Sequence, residues 1–206
     1  MELTFYISAF VTLFVIVDPI GLAPLFVAIT QGMPGPERRA IALRAAAIAV
    51  GLLTLFGVFG ESVLALVGIS MPAFRIAGGL LLFLTALEML FERRTKRRED
   101  QAHDDRPDPS VFPLATPLIA GPGAMATMIL LTGQVGRDPL AMLLIHLAML
   151  AVVGIVLVLF LAAGPLERAL GRTGTNVVTR LLGMLLAALS VQFVLDGLAD
   201  FGLVPT

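Results

Sequence analysis

The sequence has no cysteine and no tryptophan, one tyrosine and two histidines among 206 residues. Disulfides, thiol catalysis and cysteine-based metal sites are therefore excluded. The two histidines, His103 and His146, lie far apart in the chain, which argues against a metal centre. Charge is scarce as well: Asp, Glu, Lys and Arg make up 14% of the chain, against about 25% in a soluble domain. The net charge of -1 and the lack of a basic face interleaved with aromatics speak against nucleic-acid binding. No Gly-x-x-x-x-Gly-Lys run is present, so direct use of a nucleotide is not expected, and no cofactor is implied. The N-terminus lacks the Lys/Arg region of a cleavable signal peptide. Glu2 is the only charge before Asp18, so the first apolar stretch is expected to stay in the mature protein.

What fills the chain instead is hydrocarbon. It is 58% hydrophobic with a mean hydropathy of +0.96, and its charges are clustered so that long uncharged blocks remain. Since about 20 apolar residues cross a bilayer core, the composition predicts an all-α polytopic membrane protein. Two of its apolar runs are interrupted. Asp18-Pro19-Ile20-Gly21-Leu22-Ala23-Pro24 sits inside the run from Leu3 to Thr30. The prolines have no N–H and clash with the carbonyl four residues earlier, and glycine weakens a helix further. Backbone freed in this way is tolerated at membrane depth only where it is buried in protein or lines a wet cavity. Asp18 followed by Pro19 also has the form of a helix start, an N-cap acceptor and then proline at the first helical position. Thr116-Pro117-Leu118-Ile119-Ala120-Gly121-Pro122-Gly123 interrupts the run from Val111 to Thr132 in the same manner. Asp18 and Thr116, Pro19 and Pro117, Pro24 and Pro122 are all 98 residues apart. Matched Gly/Pro-interrupted segments in two halves are the best sequence pointer to a transporter's binding site.

Six spans are predicted, at about 3–30, 38–59, 73–91, 111–133, 140–163 and 177–199, with the first and fourth discontinuous. Glu61 to Val67 is read as a partly interfacial continuation of the second span, and Gly164 to Asn176 as a loop. One membrane domain, 1–206, then divides into repeat one (1–91, spans one to three), a linker (92–109) and repeat two (110–206, spans four to six). The linker, dense in both signs of charge, has the composition of a flexible segment. With the N-terminus outside, the inner loops hold Arg38, Arg39, Arg93, Arg94, Lys96, Arg97, Arg98, Arg106, Arg168 and Arg172, and the outer loops only Arg137. That bias places both termini outside and the linker in the cytoplasm. Arg75-x-x-Gly78 and Arg180-x-x-Gly183 repeat at an offset of 105. Three spans per copy means that the second copy enters the membrane in the opposite sense, so the expected architecture is an inverted 3+3 repeat.

These motifs also carry a resemblance. Asp18-Pro19-Ile20-Gly21-x-x-Pro24, Arg75-x-x-Gly78-Gly79, Pro117-x-x-x-Gly121-Pro122-Gly123, and Arg180-x-x-Gly183 with Gln192-x-x-x-Asp196-Gly197 resemble the MarC-type family of bacterial inner-membrane proteins, over nearly the whole chain. The resemblance implies six spans, a location in the inner membrane and a place in the broader LysE-like amino-acid-exporter superfamily. It also implies transport of small neutral amino acids such as glycine and alanine.

A helix N-terminus offers unpaired N–H groups and a partial positive charge of about half an electron. Two of them at mid-membrane suit the carboxylate of a solute, and carbonyls freed by the prolines suit its ammonium group. The candidate substrate-binding residues are thus Asp18, Pro19, Gly21, Pro24, Thr116, Pro117, Gly121, Pro122 and Gly123. The plain alternative is that the breaks are kinks easing helix packing. Asp18 is the only acid deep in the first five spans, where a charge costs on the order of 3 kcal/mol or more. It is read as a helix cap and as a candidate for binding a coupling H⁺ or Na⁺. Arg75, Arg180, Gln192 and Asp196 are further candidates for gating or ion coupling. The arginines are weighed against snorkelling to headgroups, or pairing with Asp18 or a solute. Glu88 stands beside them near a helix end. His146 reads as hydrogen-bonded packing, and Thr127 and Thr132 as bonded back to their own helix. The expected activity is secondary transport or export of a small solute, most simply an amino acid, by alternating access. A channel or a non-transporting accessory subunit is the alternative. An intramembrane aspartyl protease needs two facing acids, and Asp18 has Thr116, not an acid, as its repeat counterpart.

Overall fold

Prolines and glycines divide the apolar chain into eight helices among the described residues. The structure, a computed structural model, describes residues 3–30, 32–91, 108–136 and 138–203. The helices are α1 (Leu3–Val17), α2 (Pro19–Ile29), α3 (Gly35–Val67), α4 (Met71–Leu90), α5 (Ser110–Ile119), α6 (Pro122–Val135), α7 (Pro139–Leu161) and α8 (Ala163–Asp200). By length and composition Leu3–Val27, Gly35–Val67, Met71–Leu90, Pro139–Leu161 and Asn176–Asp200 can each cross a bilayer. The pair α5 and α6, bent by 54°, brings the count to six if it is taken as one span. The described residues are all-helical, with five to six membrane spans, and the first and fourth apolar runs are interrupted as expected.

Two boundaries differ from the sequence reading. The second span does not end near residue 59: α3 runs unbroken for 33 residues to Val67, where Gly68 closes it with a left-handed φ of 81°. At about 1.5 Å per residue that is roughly 50 Å, well beyond the hydrocarbon core. Nor is 164–176 a loop, for α8 begins at Ala163 and passes through it. Pro165 falls in the first turn, where no intrahelical N–H is needed, and isolated glycines weaken a helix without ending it. Of the expected linker 92–109, residues 92–107 lie outside the described residues, as does Arg137.

The α1–α2 span is the centre of the bundle. In its most apolar stretch 61% of residues are buried, against 28% in the span of α8. Leu13, Ile16, Val17, Leu22 and Phe26 all lie at 2% exposure or less. Along α3 the buried positions Ala42, Ala45, Ala46, Ala49, Leu53, Gly57, Gly60 and Leu64 recur every three or four residues. They form a stripe of mostly small residues that lets neighbouring helices come close. A Cβ on Gly57 or Gly60 would collide with Met128 or Ile129 of α6. Phe26 of α2 stacks on Phe160 of α7 with 4.3 Å between centroids, and the Arg38 guanidinium lies over the same Phe26 ring at 5.8 Å. At the start of α5, Asp108 accepts hydrogen bonds from the Ser110 N–H and hydroxyl at 3.0 and 2.6 Å and pairs with Arg44 of α3 at 3.0 Å. The Ser110 hydrogen bonds, with help from Arg44, hold the Asp108 carboxyl below the ordinary aspartate range. This tie is intact above that range and is lost as the pH falls through the lowered value.

α4 and α8 pack antiparallel along their lengths through glycines. Gly79 meets Ser190 and Val194, Gly197 meets Pro72 and Ile76, and Gly183 meets Ala86 and Met89. Arg75 at the head of α4 donates to Asp200 at the tail of α8 at 2.6 Å. Their other faces present Leu80, Leu81, Leu84, Leu181, Met184 and Leu185 outward, an apolar surface of the kind that faces lipid. A Cβ on Gly79 would stand 2.8 Å from the Ser190 carbonyl oxygen, which is backbone and cannot give way. Gly79→Val should therefore lower the unfolding free energy by about 1–3 kcal/mol. Gly51→Ala, with nothing within 4 Å, should leave it unchanged or slightly raised. Thermal or denaturant melts of the purified variants check both.

Candidate functional site

The first break is made by Asp18. Were the helix to continue, the Pro19 ring would meet the Val15 carbonyl. Asp18 instead takes a left-handed φ of 55°, a conformation aspartate adopts more readily than most residues. Helical bonding runs up to the junction and resumes from it: the Asp18 N–H donates to Phe14 at 3.0 Å, and Leu22 donates to the Asp18 carbonyl at 3.0 Å. The Asp18 side chain, fully buried, accepts from the Gly21 N–H at 3.1 Å. It thus caps α2, and it lies so close over Gly21 that a Cβ there would collide with the carboxyl group. Pro24, by contrast, sits inside α2. It leaves the Ile20 carbonyl without its intrahelical donor but does not end the helix.

The second break is built differently. Phe112 and Thr116 each precede a proline, across cis peptide bonds, and are extended, at φ/ψ of -132/127° and -132/123°. Between them the chain makes wide turns, Leu114 donating to Pro109 at 3.2 Å and Ala120 to Ala115 at 2.9 Å. Thr116 is therefore not the cap expected from its match with Asp18. The N-cap of α6 is Gly121, five residues later, with φ/ψ of -78/168° and no side-chain cap. Pro122 is the first helical residue, in the position proline favours. Gly121 must be glycine, because a Cβ would stand 2.6 Å from the Pro117 carbonyl oxygen.

The two breaks approach one another. At Gly123, the second residue of α6, a Cβ would lie 3.5 Å from Ile16, two residues before Asp18, and 3.3 Å from Leu82 of α4. Thr85 of α4 is on the same side at 3.9 Å. Asp18 and Pro19 are buried, while Gly21, Pro24, Thr116, Pro117, Gly121 and Gly123 are half-buried and Pro122 is exposed.

The remaining candidates lie elsewhere. Arg75 reaches Asp200, not Asp18, so its ion pair joins the two halves of the chain. Gln192 donates to Asp196 at 2.6 Å, one turn on along the exposed side of α8, and Arg180 is exposed on the same helix. His146 bonds through Nδ1 to the Met142 carbonyl at 2.8 Å, while its Nε2 is buried without a partner. Thr132 does bond back, to Met128 at 2.8 Å. Thr127 does not: its hydroxyl is fully buried and has no partner. Sequence reasoning expected Thr127 to bond back to its own helix, as Thr132 does. Removing the Asp18 cap should cost about 1 kcal/mol or somewhat more. Asp18→Ala should melt at a lower temperature than wild type, and Asp18→Asn, which still caps, close to it.

Known proteins agree with this architecture. Residues 3–201 match the MarC family of integral membrane proteins. A UPF0056 membrane protein of Archaeoglobus fulgidus is 38% identical over 201 residues, covering 96% of this chain and 94% of its own. The UPF0056 membrane protein YvbG of Bacillus subtilis is 35% identical over 204 residues, covering 96% of each chain. The UPF0056 inner membrane protein YhgN of Escherichia coli K12 is 34% identical over 192 residues, covering 93% of this chain and 95% of its own. No solved structure matches the chain. Matched over almost its whole length, the chain belongs to the MarC family of integral membrane proteins.

Proposed function

We propose that the protein is a secondary transporter of a small polar solute, of the size and type of a small neutral amino acid, working by alternating access around the paired breaks. The observation that carries this reading is the meeting of Gly123 with Ile16: the first turn of α6, just after the second break, lies against the last turn of α1, just before the first. A kink that merely eases packing has no need of a counterpart beside it. Half-helix ends at mid-membrane are the arrangement transporters use to hold solutes and ions.

The inverted 3+3 repeat belongs to the same proposal, with both termini outside the inner membrane. The reciprocal contacts of α4 and α8 support it. Gly79 of α4 reaches Val194 of α8, and Gly183 of α8 reaches Met89 of α4, so each helix of the antiparallel pair offers a glycine to the other. The rocking halves would then be 1–91 and 110–206. Asp18, buried at the junction, is the group we assign to H⁺ or Na⁺ coupling. A protease remains a poor reading, since the repeat counterpart of Asp18 is Thr116 and not an acid.

The test is solute flux in proteoliposomes, with and without a pH or Na⁺ gradient. Saturable, gradient-dependent uptake of an amino acid is expected, with the gradient dependence lost in Asp18→Asn. Unsaturable current would identify a channel. Full gradient-driven uptake in Asp18→Asn would remove the coupling role from Asp18.

A further inference from the structure

The last helix carries two opposed stripes. Gly183, Leu186, Ser190, Phe193 and Gly197 of α8 are buried in the bundle. Leu181, Leu185, Ala188, Gln192 and Leu195 are exposed on the opposite side. These five follow one another by steps of four, three, four and three residues, the spacing of a coiled-coil seam. Four of them are apolar and need nothing but lipid. Gln192 is the exception.

Its depth makes the exception costly. Arg180 and Asp200, both exposed, stand 20 residues apart on α8. That is about 30 Å of helix, the thickness of the hydrocarbon core. Gln192 lies 8 residues short of Asp200, about 12 Å inside that boundary. One of its N–H groups goes to Asp196 at 2.6 Å, and among the described residues its amide makes no other bond. The second N–H and the carbonyl oxygen are left facing outward at a level where lipid supplies neither donor nor acceptor.

The chemistry of the group selects what covers it. A carboxamide both donates and accepts, so it complements a copy of itself, whereas a carboxylate or an ammonium there would repel its copy. Two copies of one chain sit in the membrane in the same sense, related by a two-fold axis along the membrane normal. Their α8 helices are then parallel and in register, and each seam residue meets its own counterpart. We propose that the outward stripe of α8 is a homodimer interface, in which the Gln192 amides of two copies donate to and accept from each other and Leu185 and Ala188 pack on their counterparts. A single polar residue in such a seam fixes register and partner number, and glutamine is known to join helices in membranes. The small Ala188, one turn away, lets the helices come close. This inference does not depend on the transport reading, since it uses the outer face of α8 and not the breaks.

Because the chain has no cysteine, single cysteines report the seam directly. Purified Leu185→Cys and Ala188→Cys, diluted into lipid vesicles and mildly oxidised, should each form a disulfide-linked dimer. Leu147→Cys, equally outward on α7 at 49% exposure, should stay monomeric. In cysteine-free protein, dimerisation measured by energy transfer between labelled copies should weaken by about threefold to tenfold in Gln192→Leu. Gln192→Asn, which keeps the amide, should lose less. No dimer at Leu185→Cys and Ala188→Cys overturns the proposal, and so does linking at Leu147→Cys to the same extent, which would mean random collision. Gln192→Leu that pairs as tightly as wild type also overturns it, because the amide would then not be what joins the copies.

Discussion

Inside a bilayer a backbone amide or carbonyl has no water to turn to, and this constraint governs where the chain can be broken. Pro19 and Pro122 forbid continuous helices through the first and fourth spans. The chain answers by burying the first break at the centre of the bundle, where Asp18 is wholly enclosed, and by setting the second beside it at Gly123. The rest of the architecture serves that placement. The small-residue stripe of α3 brings α6 close, and the glycine-lined seam of α4 and α8 locks the outer pair of helices together. Leu82 of α4 closes the wall opposite Ile16.

The two breaks solve the same backbone problem by different means. At Asp18 the chain carries its own acceptor: a carboxyl that reaches Gly21 and leaves the α2 terminus filled. At Gly121 it carries none, and the α6 terminus keeps its donors.

Much of this was legible in the chain. The apolar runs gave six spans, and the Pro/Gly clusters located both interruptions. What misled was the equal spacing of 98. Pro24 and Pro122 share that offset, yet Pro24 lies within a helix and Pro122 begins one. The deciding residue is the one two places before the second proline of each motif. Leu22 bonds back to the Asp18 carbonyl and keeps α2 helical, while Ala120 bonds five residues back and holds a wide turn that the helix must restart from. Thr116 looked like a cap by type, but wide turns follow it and α6 starts only at Gly121. The stretch 164–176 looked like a loop by composition, but Pro165 fell where a helix tolerates it. Thr127 is of a type that predicts a back-bond, and only coordinates show that the bond is not made.

The central claim is that the two interrupted helices meet within the bundle. Because the chain has no cysteine, a pair introduced as Ile16→Cys and Gly123→Cys can be read without background. The Gly123 Cβ position lies 3.5 Å from the Ile16 Cγ2, so cysteines at the two positions are close enough for their sulfurs to meet. Mild oxidation of this pair in native membranes should give an intramolecular disulfide as readily as a control pair, Gly78→Cys with Ala126→Cys, whose Cβ positions are 3.9 Å apart across α4 and α6. A control that forms its bond while the Ile16–Gly123 pair stays reduced would contradict the account.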